Sequence, residues 1–164
     1  MNKSVYKIRK IQNKDNPIIA DIIRGTLKNY NLDIPGTAYF DTSLDNLYDY
    51  YYPFTDKGYY VITDNNDNVV GGIGFEKAIY FENTAELQKL YLAENVRGMG
   101  LSYSLIDFIE NKMKQSGYTA SYLETHSNLT EAIHLYKKCG YCEIECPKEI
   151  VHSAMNMFFY KKFN

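Results

Sequence analysis

The 164-residue sequence predicts a mixed α/β domain, a mostly antiparallel central sheet flanked by helices, in the order β-α-α-β-β-β-α-β-α-β-β. Three observations predict it. The run at 58–63 is rich in Tyr, Val and Ile, and it and the runs at 69–75, 84–93 and 120–126 read as strands. Apolar residues recur at helical spacing through 17–30 and 100–115. The cluster Asp64-Asn65-Asn66-Asp67-Asn68 between two of the strand runs reads as the turn of an antiparallel hairpin. Neither a linker, a repeat nor a low-complexity stretch divides residues 1–164, which are read as a single domain with one substantial core.

Taken in order, residues 5–11 alternate well enough for a first strand. Asn16-Pro17 starts a helix, with Asn as cap and Pro at the first position. Ile18, Ile19, Ile22, Ile23, Leu27 and Tyr30 form its apolar stripe. After a loop holding Pro35-Gly36, Ser43 caps a short second helix whose face is Leu44, Leu47, Tyr48 and Tyr51 and which Pro53 ends. The fourth strand covers 84–93, and period two puts Glu86, Gln88 and Leu90 on one face. The helix over 100–115 buries Leu101, Leu105, Phe108, Ile109 and Met113 and stops at Ser116-Gly117. A fifth strand at 120–126 and a helix at 130–139, stopped by Gly140, precede two closing strands near 141–145 and 154–161.

Composition excludes several classes. Eighteen basic against twenty acidic residues give a net charge of −2, without the basic footprint of a nucleic-acid binder. The first ten residues lack the apolar stretch of a signal peptide, and no run of about 18 apolar residues suggests a membrane span. A soluble cytoplasmic protein is expected. Cys139, Cys142 and Cys146 are odd in number, which argues against a disulfide framework. A zinc site would need a fourth ligand, and His152 is the only near one, so reduced cysteines and no metal are expected.

The sharpest local signal is Arg97-Gly98-Met99-Gly100-Leu101-Ser102, between a strand and an amphipathic helix. Glycines let backbone N–H groups approach an anion with no Cβ in the way. The helix start adds unpaired N–H donors and a positive dipole end, and Arg97 adds a charge, which together make a diphosphate cradle. A Gly-rich turn with a surface Arg carries the same pattern. No G-x-x-x-x-G-K-[ST] string exists, and Tyr103 stands where a dinucleotide fingerprint needs its third Gly.

Four stretches now stand in order: residues 86–92 (ELQKLYL), 97–102 (RGMGLS), 122–125 (YLET) and 132–141 (AIHLYKKCGY). Together they resemble the GNAT superfamily of acyl-CoA-dependent N-acetyltransferases, strongly over residues 68–141, and a bacterial-type member in particular. The family pattern is Arg or Gln, two residues, Gly, one residue, then Gly or Ala. Arg97 and Gly100 match it, while Ser102 replaces the last Gly or Ala.

The resemblance implies transfer of an acetyl group from acetyl-CoA to a primary amine, by direct attack in a ternary complex. Leu90, Tyr91 and Leu92 would pair their backbone with the pantetheine arm. Arg97, Gly98, Met99, Gly100, Leu101 and Ser102 would hold the pyrophosphate. Asn128 lies near the place where many members have a cofactor-touching Asn, though eight residues before Tyr136 rather than seven. Tyr136 falls where the family has a Tyr near the thioester sulfur, and it could protonate the leaving thiolate. Seventeen tyrosines make chance placements easy, but this one lies inside the matching string. Glu86 stands where several members carry a catalytic Glu. An amine arrives as an ammonium, and a partly desolvated Glu is a fitting base to remove that proton. The Leu92 amide would receive the oxyanion. Glu124 and His152 are further acceptor-side candidates, and the aromatic run 48–54 with Asp45, Asp49 and Asp56 lies in the region that shapes the acceptor pocket in this family. A surface ion pair for Glu86 and an aromatic core for 48–54 fit the same patterns. A catalytically silent acyl-CoA sensor of the same fold is the competing function. Homodimers are common among members.

Overall fold

The computed structural model of the chain describes residues 5–150 and 153–164, so His152 lies outside the described residues. Among the described residues seven strands, numbered in chain order, form one sheet in the order β1-β2-β3-β4-β5-β7-β6. β1 (Lys7–Lys10), β2 (Gly58–Thr63), β3 (Val69–Lys77) and β4 (Thr84–Leu92) make an antiparallel meander. β5 (Ala120–Thr125) joins β4 in parallel, after a crossover through α3 (Leu101–Gln115). α4 (Thr130–Lys138) then leads to β6 (Cys142–Ile144). The last strand, β7 (Met157–Lys162), inserts antiparallel between β5 and β6.

Both sheet faces are covered, which is why the strands read as apolar runs rather than clean alternation. In β2, Tyr59 and Val61 belong to the core beneath α1 (Asn16–Asn29) and α2 (Leu47–Tyr51), while Tyr60 and Ile62 belong to the core beneath α3. In α1, Ile19, Ile23 and Leu27 are buried, but Ile18 lies on the stripe's outer flank and is 45% exposed.

The start of α1 departs from expectation. Asp15, not Asn16, is the cap residue, and Asn16 is the first, buried residue of the helix. The Asn16 amide nitrogen donates to Asn13 Oδ1, and its oxygen accepts from the Tyr48 N–H at 3.0 Å. That side chain therefore ties α1 to α2 instead of capping its own helix. Ser43 likewise makes no side-chain cap, and the second helix is a 3-10 turn, Leu44–Asn46, running into α2.

β4 does not keep period two. Gly74 lies opposite Gln88, yet Gly72 lies opposite Tyr91, so Lys89 and Leu90 together face the single residue Ile73. This is a β-bulge, and Lys89 takes a φ of 49° to make it. The phase inverts from there. Leu90 and Leu92 pack with Ala85 and Leu87 on the α3 face, and Tyr91 turns to the α1 face. The expectation that Leu90 shares a face with Glu86 and Gln88 is thereby corrected. Tyr59 pins the bulge, its hydroxyl donating to the Lys89 carbonyl at 2.8 Å. Its ring lies across β3 at Gly72, where a Cβ would come within 2.6 Å of it.

Candidate active site

β4 and β5 pair only from Thr84↔Ala120 to Glu86↔Tyr122 and then part. The wedge between them opens into a cleft of about 920 Å³, walled also by the end of α1, the start of α3, and α4. Glu86, Leu90, Tyr91, Leu92, Arg97, Gly98, Gly100, Ser102 and Tyr136 all line this cleft. Three other sequence candidates do not bring a side chain to it. Met99 is 58% exposed and accepts at sulfur from the Tyr6 hydroxyl at 3.6 Å. Leu101 packs against the α3-side core. Asn128 is exposed and donates its side-chain amide to the Tyr30 carbonyl at 3.0 Å.

One end of the cleft suits an anion. Gly98 and Gly100 both have φ of 78°, the left-handed region that glycine enters without cost, and Gly100 is the cap residue of α3. A Cβ on Gly100 would meet no protein atom within 4 Å, so the space before the helix is open. The first N–H groups of α3 have no intrahelical acceptor and lie at its positive end. Arg97 is folded back beside them, its Nε donating to the Leu92 carbonyl at 3.1 Å and its guanidinium to the Thr26 hydroxyl at 2.9 Å. Donors, charge and open space together fit a diphosphate. Across the mouth, the Tyr30 hydroxyl donates to Glu131 at 2.9 Å, fastening the end of α1 to the start of α4.

Between the ends runs a free strand edge. The Ala93 N–H donates to the Val70 carbonyl at 2.7 Å, so the preceding amide, that of Leu92, turns to the opposite edge, where β5 has already left.

The other end is acidic. Burial and the facing Glu124 push the Glu86 carboxyl up to about 7, against the lowering effect of Gln88 and Lys89. Burial also raises Glu124, which accepts from the Tyr122 hydroxyl at 3.0 Å. Lys89 pairs with Asp41 at 3.1 Å, joining the bulge to the loop after α1. Tyr136 is 6% exposed, and burial pushes its hydroxyl far above the ordinary tyrosine value. Among the described residues no buried side-chain polar atom is sealed away without a partner, and none of them hydrogen-bonds the Tyr136 hydroxyl. That oxygen therefore opens into the cleft.

One expectation shifts. The aromatic run 48–54 does not line the cleft, and the loop residues Gly36, Thr37, Ala38 and Asp41 do so instead. Tyr51 is buried, Tyr48 and Tyr52 stack on each other at 5.1 Å, and Asp45 is taken up by Arg24 at 2.6 Å. Sequence reasoning also missed Thr26, Tyr30, Asp41, Lys89 and Glu131. Of these only Tyr30 had a signal, as the last position of the α1 stripe. Cys139, Cys142 and Cys146 are free thiols, and no metal-binding cluster of His, Cys, Asp and Glu occurs among the described residues. No helix among them is long and apolar enough to cross a membrane.

A carboxylate poised near neutrality, a neutral phenol, a free N–H edge and an anion cradle thus share one cleft. That set of groups suits acyl transfer from a phosphate-bearing donor. Comparison with known proteins agrees. Residues 28–141 match the model of the acetyltransferase (GNAT) family. The uncharacterized N-acetyltransferase YjgM of Escherichia coli strain K12 is 34% identical over 141 residues, covering 84% of this chain and 83% of that protein. A GNAT-family acetyltransferase from Staphylococcus aureus Mu50 has the same fold, with a TM-score of 0.85 at 20% identity over 98% of this chain and 100% of that one. So does the PaiA N-acetyltransferase of Thermoplasma acidophilum, solved with coenzyme A, with a TM-score of 0.74 at 18% identity over 97% and 99% of the two chains.

Proposed function

Since the chain belongs to the acetyltransferase (GNAT) family and is an acyltransferase, we propose that it transfers an acetyl group from acetyl-CoA to a cationic primary amine. The observation that carries this reading is the placement of Glu86, raised to about 7, on the wall of the same cleft as the Arg97–Gly100 cradle.

Acetyl-CoA supplies the activated acyl group. The α3 N-terminus, Gly98, Gly100 and Arg97 receive its diphosphate, and Arg97 exchanges its contacts with Thr26 and Leu92 for that anion. The unpaired edge of β4 at Leu90–Leu92 offers backbone groups to an extended amide-bearing arm. At the far end Glu86 accepts a proton from the incoming ammonium, leaving a neutral amine. The Leu92 N–H faces the place where negative charge develops on the carbonyl oxygen. Tyr136, neutral at any working pH, is the group able to hand a proton to the departing sulfur, and its oxygen is restored by the second proton that the nitrogen loses as the amide forms. Glu124 beside Glu86 gives the acceptor end its preference for positive charge.

An acetyl-CoA assay over a panel of polyamines, aminoglycosides, amino acids and peptide N-termini, following free thiol, tests the proposal. Turnover with a cationic amine supports it. Tight coenzyme A binding with no thiol release from any amine would point to a silent acyl-CoA binder instead.

A further inference from the structure

Glu76 and Glu86 are direct cross-strand partners on β3 and β4. Like charges in that position oppose each other. The two carboxylates are not equally provided for. Glu76 accepts from the Tyr50 hydroxyl at 2.7 Å, and the Lys57 ammonium stands 3.7 Å from its other oxygen. Lys57 is itself boxed in, 3.9 Å from the Tyr50 ring centre and 4.3 Å from that of Phe54. Among the described residues Glu86 has one side-chain donor, the amide nitrogen of Gln88 at 3.4 Å, and that nitrogen is shared with Glu76 at the same distance.

An amide can present either end. Here its orientation is decided by Tyr51, whose hydroxyl donates to Gln88 Oε1 at 2.6 Å. With the oxygen taken, only the NH2 group is left to face the carboxylates. Tyr51 is 3% exposed and packs in the α1-side core, so the hydroxyl is fixed by the fold.

We propose that Gln88 is a positioning residue for Glu86, with Tyr51 as the element that aims it. The inference rests on the reading of Glu86 as the proton acceptor. Its distinct content is that α2, which does not line the cleft, reaches the reacting end through a Tyr51–Gln88–Glu86 chain. The bulge makes this work, since Gln88 is the last residue before the phase inverts and so the last able to stand beside Glu86. The other ionisable groups facing Glu86 are Glu76 on β3, Lys89 on β4, Glu124 and Tyr122 on β5, Tyr50 on α2, and Tyr80 in the hairpin before β4. None of them depends on the Gln88 amide for its place beside Glu86 except Glu76, which Lys57 and Tyr50 also hold.

The test is a pH titration of the Glu86 carboxyl by carbon-13 NMR, with its signal assigned by its loss in Glu86→Gln. Three further variants are compared: Gln88→Leu, Gln88→Glu and Tyr51→Phe. Gln88→Leu removes the donor and should move the Glu86 midpoint up by about half a pH unit or more. Gln88→Glu keeps an acceptor for Tyr51 but adds a third carboxyl to the pair, and should move it further. Tyr51→Phe frees the amide to turn and should move it in the same direction. If Tyr51→Phe fails to fold, the two Gln88 variants decide alone. A midpoint unchanged in both Gln88 variants overturns the inference. The acid limb of kcat/KM should follow the NMR midpoint. Should the midpoint move while the limb stays, the positioning role stands and the assignment of Glu86 as base falls.

Discussion

In the proposed reaction Glu86 carries the heaviest chemical demand of any single residue. It must lose its proton before it can accept one, so kcat/KM should rise with pH through about 7. Glu86→Gln should cut turnover by about a hundredfold or more, abolish that rise, and leave coenzyme A affinity within about twofold. Stability should respond with a definite sign. The folded carboxyl sits above its ordinary value, so its contribution is present at low pH and is lost as pH rises through about 7. Glu86→Gln cannot ionise, and at pH 8 it should be more stable than the natural protein by about 2 kcal/mol, with the gap closing near pH 5. Urea midpoints at the two pH values check this. The sequence offers Glu86, Tyr136 and Arg97 as candidates because each lies inside an ordered string of motifs, and the structure puts all three on the wall of one cleft. Gln88 was placed on the correct face, but its purpose was hidden. What gives it meaning is Tyr51, 37 residues away, and no local pattern joins the two.

At the scale of elements, the bulge in β4 sets the site. It points Leu90 and Leu92 to one core and leaves the Leu92 amide on the open edge. The alternation rule could not find it, because an inserted residue shifts the phase without leaving a compositional mark, and Lys89 is not a residue type that advertises positive φ. Its support is also non-local: the Tyr59 hydroxyl on the Lys89 carbonyl, and a glycine beneath the Tyr59 ring. Gly72→Ala should push that ring away, cost about 1–3 kcal/mol of stability, and loosen the bulge. The signature is a larger loss in kcat than in coenzyme A affinity, since the cradle at α3 lies on a separate element. Steady-state kinetics beside equilibrium binding separate the two; a fall in affinity alone would assign the bulge to cofactor binding only. The α3 cradle, by contrast, was readable from sequence, because glycine spacing and the helix start are adjacent in the chain.

For the whole molecule, the sequence predicts the element order and a mostly antiparallel sheet, and both are found. The strand order is another matter. Nothing in the alternation of Met157, Phe158 and Phe159 tells β7 to insert between β5 and β6 rather than to follow β6 at the edge, because pairing partners far apart in sequence leave no local trace. The parting of β4 from β5 is equally a global property, and it is what creates the cleft. A ligand that fills this wedge bridges the two halves of the sheet. Coenzyme A at a hundred times its dissociation constant should therefore stabilise the fold by about 2.7 kcal/mol, raising Tm by roughly 5–10 °C, while NAD should do little. An equal response to both nucleotides would mean that the cradle reads a diphosphate without the rest of the donor.

The insertion of β7 also orders events during translation. β5 meets β4 over three residue pairs only, so most of its hydrogen-bonding edge is satisfied by β7. Until residues 157–162 have left the ribosome tunnel, a nascent chain exposes that edge of β5, and β6 has no strand to pair with. The half of the sheet that holds Glu124 thus assembles last, and a chaperone that shields a bare strand would find its binding window there.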